Sequence, residues 1–195
     1  MKKSLILASL LVLSSTVVVA GEAKDWFVGG EYGGMKVNGK TTAVVGGTSF
    51  SGDGSYKPTY ESIKIGKYIE SGRVYGFYAR QNKKDLTTAD ILGVGYDYMF
   101  KNSSSVVPFI GAQAMYVKAK IDDATLKAAS LDAPSGLGFG VGAGILYPVN
   151  ANVELEAGVR YVKTNIEDSQ SFGADSIKIE IEDYTQYYVG LNYKF

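Results

Sequence analysis

Glu154, Glu156 and Arg160 fall on one side of a segment whose other side, Val153, Leu155, Ala157, Val159 and Tyr161, is apolar. In an extended chain two carboxylates and a guanidinium therefore share one face. Glu180 and Glu182 share a parity in the same way. Glu31, Lys64, Arg80, Asp97, Gln113 and Gln186 hold corresponding positions in other segments. Paired carboxylates can act as general acid and base, rings of charge can line a pore, and alternating acids and bases can neutralise one another inside a narrow interior. An interior ion-pair network is the expected reading, because buried charges must pair and a small barrel fills with its own side chains. A narrow gated pore would use the same residues. The chain has no histidine and no cysteine. Ser–His–Asp chemistry cannot be assembled, zinc and copper sites lose their usual ligands, and no disulfide can form. No cofactor is expected.

Two further stretches invite a functional reading. Gly136-Leu137-Gly138-Phe139-Gly140-Val141-Gly142-Ala143-Gly144 superficially resembles a phosphate-binding loop. Its period of two continues through apolar residues with no helix start, whereas a phosphate loop needs a strand–turn–helix context, so a strand is expected. The acidic pairs Asp122-Asp123 and Glu167-Asp168 fall in segments expected to be solvated loops.

The elements that would position these residues are strands. Eight are expected, at about 26–37, 59–69, 73–80, 90–100, 107–117, 137–147, 153–163 and 177–195. The sixth is the clearest, with Leu137, Phe139, Val141, Ala143, Ile145 and Tyr147 on one face and glycines on the other. In the second, Lys67 falls on the apolar face with Ile63, Ile65 and Ile69 and must snorkel to an interface. The segments 70–72, 101–105 and 148–152 are short and rich in turn formers. The segments 38–57, 81–88, 118–136 and 164–176 are longer. All the long connections then fall on one rim and all the short ones on the other.

The N-terminus reads as an export signal: Lys2 and Lys3, an apolar run from Leu5 to Leu13, and the small-residue site Val18-Val19-Ala20, with Gly21 beginning the mature chain. Residues 1–20 are thus expected to be a cleaved signal peptide and 21–195 one barrel domain. Without Lys2 and Lys3 the 20 basic residues fall to 18 against 20 acidic ones, a net charge of about −2 that argues against a nucleic-acid partner. The 15 Tyr and 24 Gly favour strands and turns over helices.

Tyr187, Val189, Leu191, Tyr193 and Phe195 alternate with small or polar residues, and Phe195 is the last residue of the sequence. This resembles the closing strand of bacterial outer-membrane barrels, where a terminal Phe after alternating aromatics is the signal read by the barrel-assembly machinery. Together with the export signal, the apolar faces ending in Tyr98, Phe100, Tyr147 and Tyr161, and the alternating connections, the chain resembles the small OmpA/OmpX-type eight-stranded barrels. The resemblance implies an all-β fold, an eight-stranded antiparallel up-and-down transmembrane β-barrel in the bacterial outer membrane. A soluble lipocalin-like barrel is the opposing fold, with its apolar face inward; the inward glycines and the charges on the polar face favour the membrane form. The resemblance implies that barrel enzymes of this membrane rely on histidine as base or acid, so a chain without histidine is expected to be non-enzymatic. Its expected partners are membrane lipid and lipopolysaccharide, the assembly machinery, and an extracellular or host ligand met by the external loops. A passive channel is the alternative.

Overall fold

The computed structural model describes residues 25–84, 87–121, 134–173 and 175–195. The expected signal peptide with its Ala20–Gly21 cleavage site, and Asp122-Asp123, lie outside the described residues. Strands β1 (Trp26–Val45), β2 (Thr48–Tyr56), β3 (Thr59–Ile69), β4 (Gly72–Lys84), β5 (Thr87–Met99), β6 (Val107–Ile121), β7 (Ser135–Pro148), β8 (Val153–Phe172) and β9 (Asp175–Lys194) form one sheet. β3 to β9 pair antiparallel with their neighbours in chain order. β1 pairs with both β3 and β9, which closes the barrel. At the inner rim the Phe195 amide donates to the Trp26 carbonyl at 2.9 Å.

Although the described residues form nine strands, the wall has eight. β2 and β3 lie on β1 in one register: Val37 faces Tyr56 and Gly34 faces Thr59. Only Lys57-Pro58 interrupts them. Pro58 has no amide to donate, yet its carbonyl still accepts from the Met35 amide at 2.8 Å. β2 is therefore the outward continuation of β3.

The pairing corrects three expected loops; of 81–88, residues 81–84 belong to β4 and residues 87–88 to β5. Residues 38–57 are instead the outer end of β1, a two-residue turn and β2. The turn is Gly46-Gly47, with φ of 56° and 80°, the left-handed pair that a type I′ hairpin needs and glycine supplies without strain. Residues 164–176 are largely the outer ends of β8 and β9, with Gly173 at φ 66°. β8, β9, β1 and β2 thus continue past the barrel as a four-stranded sheet. Outside a bilayer a strand has no apolar face to advertise, so these polar, glycine-rich segments look like loops.

A bulge separates wall from projection. Asn38 of β1 and Lys163 of β8 both face Asp183, whereas Gly39 and Ile166 both face Ile181. Glu182 is the extra residue against β1, whereas on the other side Thr164 and Asn165 of β8 stand opposite it, and the side-chain alternation of β9 reverses there.

Exposure decides between a membrane barrel and a soluble one. Leu92 is 65 % exposed and Phe139 64 %, while Lys64 is 2 % and Glu156 3 % exposed. That inverts the usual sorting of residues in water and matches a lipid-facing wall. Tyr32, Tyr78, Tyr116, Tyr161 and Tyr187 point outward near one rim; Trp26, Tyr98, Phe100, Tyr147 and Phe195 do so near the other. Lys67 faces outward as expected, its ammonium 5.9 Å from the Trp26 ring centroid, an arrangement that suits a snorkelling cation.

Some inward glycines are there because rings cover them. A Cβ added to Gly95 would come within 2.5 Å of the Tyr75 ring, whereas one added to Gly54 meets nothing within 4 Å. Gly95→Ala should therefore lower unfolding stability by about 1–3 kcal/mol through overpacking, and Gly54→Ala should change it by no more than about 0.5 kcal/mol. Urea titration followed by Trp26 fluorescence in lipid vesicles checks both.

Candidate functional site

The charged residues converge in the inner half of the lumen. Each is carried by a strand whose outward neighbours are apolar, so lipid on one side directs the polar side chain to the other. Glu31 on β1 receives both Arg160 Nη atoms from β8 at 2.7 Å each and Lys64 Nζ from β3 at 2.8 Å. Lys64 also reaches Glu156 Oε2 at 2.6 Å. Glu156 accepts from Tyr188 Oη at 2.9 Å and Asn192 Nδ2 at 2.8 Å, and Arg73 Nη2 lies 2.9 Å from its Oε1. Arg73 continues to Asp97, with Nη2 2.7 Å from Oδ2, and Tyr75 Oη donates to Asp97 Oδ1 at 3.2 Å. Nearer the inner rim Glu154 accepts from Lys194 Nζ at 2.9 Å and from Tyr68 Oη.

The network is electrically balanced. Glu31, Asp97, Glu154 and Glu156 stand against Lys64, Arg73, Arg160 and Lys194. Aromatic rings supply further contact: the Arg73 guanidinium lies 5.1 Å from the Phe109 centroid and 5.4 Å from that of Phe27, and Arg160 lies 3.8 Å from the Tyr188 centroid. Such faces attract cations that have lost water.

The outer half of the lumen is mostly apolar, with Gln81 a buried polar side chain beside Tyr60. Met35, Val37, Tyr60, Ala79, Ile91, Met115, Val117, Val162, Ile166 and Tyr184 pack as one buried cluster. Beside Tyr75, Asp97, Phe109, Gln113 and Arg160 the lumen leaves about 10 Å³, room for about one water.

The lumen residues expected from sequence are therefore brought together, except Arg80, Glu180 and Glu182. Glu31, Lys64, Asp97, Gln113, Glu154, Glu156, Arg160 and Gln186 are buried and inward. Arg80 is not: its side chain is 52 % exposed on the outer wall, with Nε 4.0 Å from Asp90 Oδ1. Arg73 takes the lumen position instead. The two arginines are seven residues apart, an odd spacing that puts them on opposite faces, so only one could enter. Tyr75 and Phe77 packed inward against Val74 and Tyr78 outward left the faces of β4 without an apolar contrast. Glu180 and Glu182 also stay out, because the bulge at Glu182 reverses the parity above it. Glu180 and Glu167 instead hold Lys178 in the projecting sheet, at 2.8 and 2.9 Å. Those hydrogen bonds, donated to Glu180 first and then to Glu167, raise the Lys178 ammonium above its ordinary range. Tyr68, Tyr75 and Tyr188 were missed because tyrosine is equally at home facing lipid.

A closed wall, apolar outside and ionic within, defines an integral β-barrel of the bacterial outer membrane. The family model described as the outer membrane protein beta-barrel domain matches residues 5–195, and the chain belongs to that family. Over 117 residues it is 27 % identical to the Protein opa of Haemophilus influenzae, covering 60 % of this chain and 97 % of that one. Among solved structures it resembles Neisserial surface protein A, with a TM-score of 0.62, 22 % identity and coverage of 87 % and 97 % of the two chains. It also resembles the outer membrane protein OprG of Pseudomonas aeruginosa, with a TM-score of 0.59, 16 % identity and coverage of 90 % and 98 %.

Glu156 touches Lys64 and Arg73, so Glu156→Gln would leave buried cations underneutralised. It should lower unfolding stability by about 3–5 kcal/mol, whereas Arg80→Ala should cost no more than about 1 kcal/mol. Equal effects in urea titrations would place Arg80 back in the lumen.

Proposed function

We propose that the protein is a non-enzymatic surface component of the outer membrane, anchored by its wall and acting through its projecting sheet. The observation that carries this reading is the contrast between a filled lumen and two hairpins, β1–β2 and β8–β9, that extend beyond the bilayer, with β2 exposed from Thr48 to Ser55 and the projecting parts of β1 and β9 mostly half-buried. Each lumen carboxylate already accepts from a cation or hydroxyl, which supports a strut rather than an acid–base pair. The names of two relatives, an opa protein and a surface protein, agree with exposure at the cell surface.

In this reading Lys36, Lys118 and Lys163, exposed near the outer rim, meet lipopolysaccharide phosphates as cations meet anions. Tyr187, Val189, Leu191, Tyr193 and Phe195 are read by the assembly machinery, and residues 1–20 are removed at Ala20–Gly21 on export. An extracellular or host surface is the partner of the hairpins. The narrow-channel alternative needs a continuous aqueous path, which the outer apolar cluster opposes.

Replacing residues 40–53 by Asn-Gly joins Gly39 to Gly54, which already face each other, and removes the β1–β2 projection while sparing the wall. Bacteria expressing this variant should lose attachment to epithelial cells relative to those expressing the intact chain. Undiminished attachment would remove the hairpin from the account.

A further inference from the structure

We propose that the outer edge of β2 is a strand-addition site for an extended segment of a partner protein, one that alternates apolar and polar residues and carries a basic residue opposite Asp53. The proposal rests on the reading above that the projecting sheet makes the external contact. β2 is the last strand of the sheet. It holds β1 in unbroken register from Val37–Tyr56 to Val45–Thr48, and no strand among the described residues lies on its other side. β4, which flanks β3 below, ends at Lys84, and the β3–β4 pairing ends at Tyr60–Gln81.

The register says which backbone groups are free. A two-residue Gly46-Gly47 turn makes Val45 and Thr48 a hydrogen-bonded pair, and such pairs alternate along an antiparallel ladder. The even-numbered residues of β2 therefore bond to β1, in step with the Met35 amide that donates to Pro58. The N–H and C=O groups of Ser49, Ser51, Asp53 and Ser55 point the other way. A row of donors and acceptors at strand spacing is complemented by another backbone in the same conformation.

Among the described residues nothing blunts this edge. Proteins guard open edges with lysine, proline or a bulge; within β2 there is none of these, and Asp53 is its one charged residue. Thr48 to Ser55 are all exposed, and an added Cβ on Gly52 or Gly54 meets nothing within 4 Å.

The two faces define the partner's side chains. Tyr56 packs on the lumen cluster, so Phe50, of the same parity, shares its face with Ala43 and Ile177 across the register. Phe50 is 61 % exposed, and an apolar residue beside it would cover it. On the opposite face Glu167, Glu180, Lys40 and Asp53 form one row across four strands. Even with Lys178 beside them, the acids outnumber the bases there, and a basic residue opposite Asp53 complements the row.

The test uses the full-length protein in lipid nanodiscs and a fluorescent peptide, Thr-Val-Thr-Val-Lys-Val-Thr-Val-Thr, read by anisotropy. The peptide should bind the intact chain. Ser51→Pro removes an edge N–H without touching the β1 ladder, and binding should weaken about tenfold. Asp53→Asn should weaken binding and reduce its salt dependence. A peptide N-methylated at alternate residues on its docking edge should not bind the unaltered protein, which keeps the test decisive if Ser51→Pro misfolds. Absence of binding by the intact chain, or equal binding of the methylated peptide, overturns the proposal. If that happens while the hairpin truncation still abolishes attachment, the edge assignment fails and the surface reading stands.

Discussion

Inside the hydrocarbon layer there is no water to receive a stray N–H or C=O, and each one left unpaired costs several kcal/mol. The pairing of β1 with β9 answers that constraint, since it turns an open sheet into a wall without edges within the bilayer. Much else depends on closure. It creates a narrow interior, and it gives every strand one face toward lipid and one toward that interior. Lipid-facing positions are then filled by residues such as Leu92, Val141 and Val189, and interior positions by whatever can pack without water.

The interior solves the resulting problem in two ways along its length. The outer half packs Met35, Ile91, Met115, Val162 and Tyr184 as an ordinary apolar core. The inner half holds charges, each neutralised by a neighbour on another strand. Glu156 is the hub, joining β8 to β3 through Lys64, to β4 through Arg73 and to β9 through Tyr188 and Asn192. Because an unpaired charge in this setting is far more costly than a missing apolar contact, the network resists any register in which one partner is displaced. It thereby fixes the alignment of strands distant in sequence. Beyond the bilayer the constraint lapses: β8, β9, β1 and β2 continue as a sheet that again has edges, with water to satisfy them.

What could be read from the sequence follows from where lipid imposes a rule. Leu137 to Tyr147 was legible as a strand because every second residue must be apolar. The inward parity of Glu154, Glu156 and Arg160 followed from Leu155, Val159 and Tyr161 on the other side. β4 was harder, because interior aromatics Tyr75 and Phe77 mimic lipid-facing ones, and Arg80 was assigned the place that Arg73 occupies. Glu180 and Glu182 were misplaced because a one-residue bulge leaves no mark in a polar segment. The projecting hairpins were invisible as strands for the complementary reason: in water either face can be polar, and Thr48 to Tyr56 reads as a loop.

The central claim is that the barrel is closed and its lumen filled by its own side chains. Single-channel recording of the refolded full-length protein in a planar bilayer tests it most directly, with slower migration after boiling used to confirm that the sample was folded. A filled lumen leaves the membrane electrically silent across the usual voltage range. Discrete, reproducible conductance steps that change when Arg73 or Glu156 is substituted would contradict it and make the ionic lumen a pore.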